Sequence, residues 1–166
     1  MIGRHGKRPL FTWAEAGWCP SDAINAIASD SDWLFGVLSS SIHERWAREQ
    51  SSTLEDRLRY TPKTAFWTFP LPEKGDLAAD VEQAARDVVA ERGAACTKLI
   101  AQGKKQCGLT AVYNLMDEGG FGALAGAHHR LDNLVCRSYG WHNTVLNDQG
   151  QTVDNLYALN ARRHLT

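Results

Sequence analysis

The chain lacks any run of apolar residues near the ~18 needed to cross a bilayer, and its mean hydropathy is −0.37. The basic N-terminus MIGRHGKRPL has no apolar stretch behind it, so it does not read as a secretory signal. Together these point to a cytoplasmic protein that touches no membrane. Cysteine is scarce: Cys19, Cys96, Cys107 and Cys136 form no CxxC pair, and the histidines do not gather beside them. A structural zinc site normally begins with such a two-ligand knuckle, so no metal is expected, and the cysteines read as small buried hydrophobes in a reducing compartment. Charge of one sign is not in excess either, with 18 Lys+Arg against 19 Asp+Glu. That excludes a nucleic-acid clamp working by bulk charge and leaves room for a local basic patch.

What is present is an ordinary soluble composition, 43% apolar and 22% charged over 166 residues, enough for one domain or two small ones. The character changes at Leu71–Asp76 (LPEKGD): five of the six tryptophans lie upstream, and the chain downstream is Ala-rich with helical periodicity. The expected organisation is a small unit over 1–72 and a helical unit over 73–166. In the first, Arg8–Trp13 alternates like a strand, Cys19–Asp22 reads as a turn, and Ala23–Ala28 leans toward a second strand. After N-cap candidates at Asp30–Asp32, Leu34, Val37, Leu38, Ile42 and Trp46 form one apolar stripe, opposite Glu44, Arg48 and Glu49. This predicts one helix over about 32–49, ended by Ser51-Ser52-Thr53. Thr61-Pro62 marks a turn, and Ala65–Phe69 is β-prone.

In the second unit, Asp76 is a cap for a helix carrying Leu77, Val81, Ala84 and Val88, then Leu99 and Ile100 beyond Gly93. The glycine costs ~1 kcal/mol relative to alanine, so a kink or break is possible there. Shorter helices follow at Leu109–Met116, across Leu124–Ser138 and at about Thr152–Arg163, a small bundle by their short connections. The expected fold class is therefore α+β: a β-containing half-domain with one long amphipathic helix, followed by an α-helical bundle.

Motifs for catalytic chemistry are few. GGFGALAG follows a helix and carries no lysine, so it reads as a helix–helix turn rather than a phosphate loop. His128 and His129 are adjacent on a helix and point about 100° apart, so they cannot hold one ion together. Ser39–Ser41 lacks a nucleophile-elbow context, and Asp117-Glu118 reads as solvated charge. The exception is Glu55–Lys63, which mixes carboxylate, Arg, Lys, an aromatic and hydroxyls after an amphipathic helix. Arg can donate twice to guanine O6 and N7, Glu can accept from cytosine N4, and Lys and Thr suit phosphates. Arg4, Lys7 and Arg8 add a second basic group. A solvated loop with internal ion pairs is the plainer alternative.

The ordered pieces RHGKRPLFTW, SDWLFGVLSSSIHERWAREQSSTL and EDRLRYTPKTAFWTFPLP resemble the C-terminal half of the target-recognition domain of bacterial DNA adenine-N6 methyltransferases. The likeness is nearest to the single-chain type IIL, MmeI-like restriction-modification enzymes and related phage-defence methylases. It rests on Phe35-Gly36, Leu38, Ser40, His43 and Trp46, then on Arg59-Tyr60-Thr61, Phe66, Thr68-Phe69-Pro70 and Pro72. Downstream, LTAVYNLMD, AHHRLDNLVCRSYGW and LYALNARR resemble the family's helical tail. The resemblance implies that 1–72 ends a recognition domain, that double-stranded DNA is a partner, and that Glu55 and Arg57 read bases. Arg59, Lys63 and Arg8 complete the expected DNA-binding set, Arg59 being equally suited to holding the loop. The family's glycine-bearing cofactor motif and NPPY-type tetrapeptide are not found, nor is a PD-(D/E)xK nuclease motif. The expectation is thus a recognition module with no catalytic residue and no cofactor of its own. S-adenosylmethionine would sit in an upstream methyltransferase core, on the same polypeptide or a separate subunit. A helical assembly module that docks on a partner without touching DNA is the rival, favoured if the 124–138 stripe is exposed. A small stand-alone enzyme is a third reading, with no motif behind it.

Overall fold

The computed structural model describes residues 1–15, 17–51, 53–54 and 57–163. The N-terminal part is built from very short strands: β1 (Ile2–Gly3), β2 (His5–Gly6), β3 (Ile24–Asn25), β4 (Thr53–Leu54) and β5 (Arg57–Arg59). β1 pairs antiparallel with β3, placing Ile2 opposite Asn25. β5 lies between β2 and β4, with His5 opposite Arg59 and Leu54 opposite Arg57. Six helices do most of the packing: α1 (Asp32–Ser39), α2 (Ser41–Gln50), α3 (Ala78–Ala101), α4 (Leu109–Asp117), α5 (Gly122–Ser138) and α6 (Gln149–Arg163). The fold is α+β and mostly helical, as expected. No helix among the described residues is long and apolar enough to cross a membrane.

Several local expectations need correction. Arg8–Trp13 is not a strand: Phe11 makes one isolated bridge to Ile2, and the pairing strands lie earlier, at Ile2–Gly3 and His5–Gly6. Phe11 is instead drawn into the core, 3% exposed. The long helix over 32–49 is two helices broken at Ser40, whose backbone is extended at φ −77°, ψ 156°. Its hydroxyl donates to the Val37 carbonyl (2.7 Å) and accepts from the His43 amide, while the Ser41 amide donates to Asp132 Oδ1 at 2.8 Å. Serine at such a position offers the backbone an alternative to the helical ladder, and here it ends one helix while capping the next. The stripe survives the break, because Leu38, Ile42 and Trp46 are all buried.

Ala65–Phe69 is also not a strand. Pro62–Phe66 forms a widened helical turn, closed by the Trp67 amide donating to the Pro62 carbonyl at 3.0 Å, with Pro62 leading it. β-propensity is overridden because the turn buries Ala65 and Phe69 while leaving Trp67 outside. Asp76 does not cap α3, which starts after Leu77 without a side-chain cap. Gly93 causes no break: α3 runs through it, held on either side by buried Val88, Arg92, Ala95 and Leu99, whereas Ile100 faces solvent. Cys136 is buried as anticipated, but Cys19 is exposed beside the exposed Trp18. The Ser31 cap, the turn donating Ile24 N to the Ser21 carbonyl, and the spans of α4, α5 and α6 agree with the sequence to within a few residues.

The core runs continuously from Ile2 and Phe11 through α1, α2 and α3 to Leu131 and Leu156. The most extensive contacts are those of α3 with α5 and with α1. Gly36 makes that closeness possible: a Cβ there would stand 3.0 Å from Ala85 Cβ and 3.1 Å from Val81 Cγ1. Between α4 and α5, Gly120 lies against the Leu115 carbonyl, 2.9 Å from where a Cβ would fall, which accounts for glycine at that position.

Candidate nucleic-acid interface

β5 alternates: Leu58 and Tyr60 are buried, and Arg59 between them is exposed. The residues flanking it are tied on both sides. The Tyr60 amide donates to the Arg4 carbonyl at 2.9 Å, and Asn25 Nδ2 donates to the Tyr60 carbonyl at 3.2 Å. Arg4 in turn donates its amide to the Ala23 carbonyl, so residue 4 joins the two small sheets. Beyond Tyr60 the widened turn carries Lys63 and Trp67 outward, Trp67 being 71% exposed.

These elements enclose a shallow depression lined by Arg4, Asn25, Arg59, Thr61, Lys63 and Trp67, with Tyr60 and Pro62 in its wall. Among the described residues it is lined by three cations and no carboxylate, and none of Arg4, Arg59 and Lys63 is in an ion pair. Unpaired guanidinium and ammonium groups beside a solvent-facing indole suit phosphates, base edges and a base face.

The expected site residues are thus divided. Arg59 and Lys63 are brought together. Arg8 is elsewhere: it pairs with Asp117, which also takes Lys7, and its guanidinium lies over the Tyr113 ring. Glu55 lies outside the described residues. Arg57 is placed only by its backbone, two positions before Arg59 on β5 and opposite Leu54. Arg4 is legible in the sequence as a basic residue but not as part of this face, and nothing in the sequence marks Asn25 or Trp67 as members of it. Arg4 and Asn25 arrive from β-pairings too short to announce themselves, and Trp67 belonged to a misread strand.

Behind the face the ionisable groups are buried and hydrogen-bonded. His43 Nε2 lies 3.0 Å from the Tyr60 hydroxyl; burial lowers the His43 pKa to about 3 and raises that of Tyr60. In the helical part Arg92 is 5% exposed, donating to the Tyr113 hydroxyl (2.6 Å) and the Phe11 carbonyl (2.8 Å). Tyr113 continues to His128 Nε2 at 2.6 Å, and burial together with the Arg92 and Arg8 charges lowers the His128 pKa to about 4. Among the described residues no cluster of three or more metal-ligating side chains occurs.

Comparison with known proteins bears on the same segment. Residues 10–73 match the family model of the MmeI target recognition domain. The matched stretch holds Asn25, Arg59, Lys63 and Trp67, and omits Arg4 and Arg8. The resemblance to MmeI-like enzymes read from the sequence is thereby borne out. A solved structure of the type IIL restriction-modification enzyme MmeI in complex with DNA shares the fold, with a TM-score of 0.68 at 24% identity. That likeness covers 83% of this chain, so it extends past the MmeI-like segment into the helices, and 17% of the MmeI chain. No curated protein matches.

Proposed function

We propose that this chain is the sequence-reading part of an MmeI-like, site-specific DNA adenine-N6 methyltransferase, and that catalysis belongs to a core outside it. The observation that carries the reading is the depression of Arg4, Arg59 and Lys63, cations with no ion-pair partner among the described residues, with Trp67, lying largely within the segment that matches the recognition-domain family. Arg59 would donate to a base edge, and Lys63 and Arg4 would hold phosphates. Glu55 and Arg57, on the same stretch, are assigned to base reading through the major groove, one accepting from cytosine and the other donating to guanine. S-adenosylmethionine would be bound by the core, in the cytoplasm, on the same polypeptide or a partner subunit. The docking-only alternative loses its main support, because Leu124, Ala127, Leu131 and Val135 of α5 are buried within this chain.

The test is duplex binding by the full chain, followed by fluorescence anisotropy against salt. Lys63→Ala should weaken binding evenly across sequences and reduce the salt slope by about 1. Arg59→Ala should relax preference at one base pair by ~1–3 kcal/mol. Absence of duplex binding at low salt, or identical even losses for both variants, would overturn the assignment.

A further inference from the structure

His43 is a puzzling occupant of the core. It is fully buried on α2 among Phe11, Tyr60 and Phe69, whose rings lie 5.8, 5.8 and 4.4 Å from its own. Among the described residues its Nδ1 has no hydrogen-bond partner. An apolar side chain would fill the same space without an orphaned polar atom, so packing alone does not explain an imidazole here. What histidine adds is one directional bond, from Nε2 to the Tyr60 hydroxyl at 3.0 Å.

Tyr60 follows Arg59 directly. Its amide and carbonyl are both held, by Arg4 and Asn25, and its ring is pinned from below by His43. The bond therefore ties the end of β5 to α2, a helix, rather than leaving it to the neighbouring turn. Base-edge hydrogen bonds tolerate displacements of only about 0.5 Å, so a rigid tie behind the reading side chain matters more for discrimination than for attraction.

We infer that His43 and Tyr60 are positioning residues for Arg59: their buried bond fixes where its guanidinium stands and so which base pair is accepted. The inference rests on the proposed role of Arg59 in reading DNA. It is tested with the full chain and a library of duplexes randomised over eight positions, sequencing the bound fraction and measuring average affinity and thermal unfolding for each variant. Tyr60→Phe keeps the ring and removes the bond. It should unfold cooperatively, bind the library within about twofold of the parent, and lose about five- to tenfold discrimination at the base pair where Arg59→Ala loses it. His43→Leu should do the same, which guards against a folding defect peculiar to either variant. In an Arg59→Ala background, Tyr60→Phe should change discrimination no further. If either folded variant keeps parental discrimination, or if Tyr60→Phe still lowers it without Arg59, the positioning role is overturned. If Arg59→Ala itself leaves discrimination unchanged, Arg59 does not read bases and the inference falls with that reading.

Discussion

On the rim formed by β2, β5 and the Pro62–Phe66 turn, Arg4, Arg59 and Lys63 meet solvent with no acidic partner among the described residues. Along the helical seam, by contrast, the charged groups Arg92, Asp132 and Arg45 are answered within the chain. Arg92 is met by Tyr113 and the Phe11 carbonyl, Asp132 by the Ser41 amide, and Arg45 by Thr152 and the Leu146 carbonyl. An enclosed charge without hydrogen bonds would be prohibitively costly, so these charged groups are met by partners inside the chain. An exposed charge left unpaired costs the fold almost nothing and stays available to an outside anion. The rim is thus free to vary in chemistry while the seam is not.

The contrast can be broken first at the seam's edge. Trp46 is fully buried, packs against Phe69 and Tyr157, and donates from Nε1 to Thr68 Oγ1. Trp46→Ala should lose ~3–5 kcal/mol in urea unfolding; a loss below 1 kcal/mol would mean the rim is not braced by α2.

Acid should come next. The folded pKa of His43, about 3, lies below its unfolded value of 6.5, so its contribution is complete above pH 6.5 and is lost as the pH falls toward 3. At pH 5 that amounts to about 2 kcal/mol, and His128 acts in the same direction. Asp132 acts oppositely, because burial raises its folded pKa and stability is gained as its carboxylate protonates. Unfolding titrations at pH 7 and pH 5 should show a net loss, reduced in His43→Leu. The same change between pH 7 and pH 5 in the parent and in His43→Leu would contradict burial of the His43 imidazole.

Gly36→Val should cost ~1–3 kcal/mol, since Val81, Ala85 and Leu131 leave no room for a side chain. Equal melting of parent and variant would show that α1 and α3 can move apart. The smallest effect belongs to the rim: Arg59→Ala and Lys63→Ala should each shift stability by no more than about 0.5 kcal/mol while altering DNA binding. Loss of several kcal/mol there would erase the distinction between the two regions.

Much of the seam was legible from sequence because its elements are long. Leu124, Leu131 and Val135 repeat at helical spacing, and Ser31 stands where a cap belongs. The rim was legible only through its residue types. Its strands are two or three residues long, too short for alternation to register, so Arg8–Trp13 and Ala65–Phe69 were misread as strands. Arg59 and Lys63 were found by chemistry, whereas Arg4, Asn25 and Trp67 joined them only by pairing and burial. The break at Ser40 escaped for a different reason. Its decisive partners include Asp132, 91 residues away from Ser41, which no local pattern contains.

By itself, then, the sequence determined the α+β class, the helical second half, the burial of Trp46 and the recognition-domain signature. Each depends on local periodicity or on an ordered run of residue types. Tertiary structure alone decided which cations gather on the rim, that Arg8 pairs with Asp117, and that His43 stands beneath Tyr60. Those outcomes depend on groups distant in the chain competing for the same partner, and that competition is resolved only when the core closes.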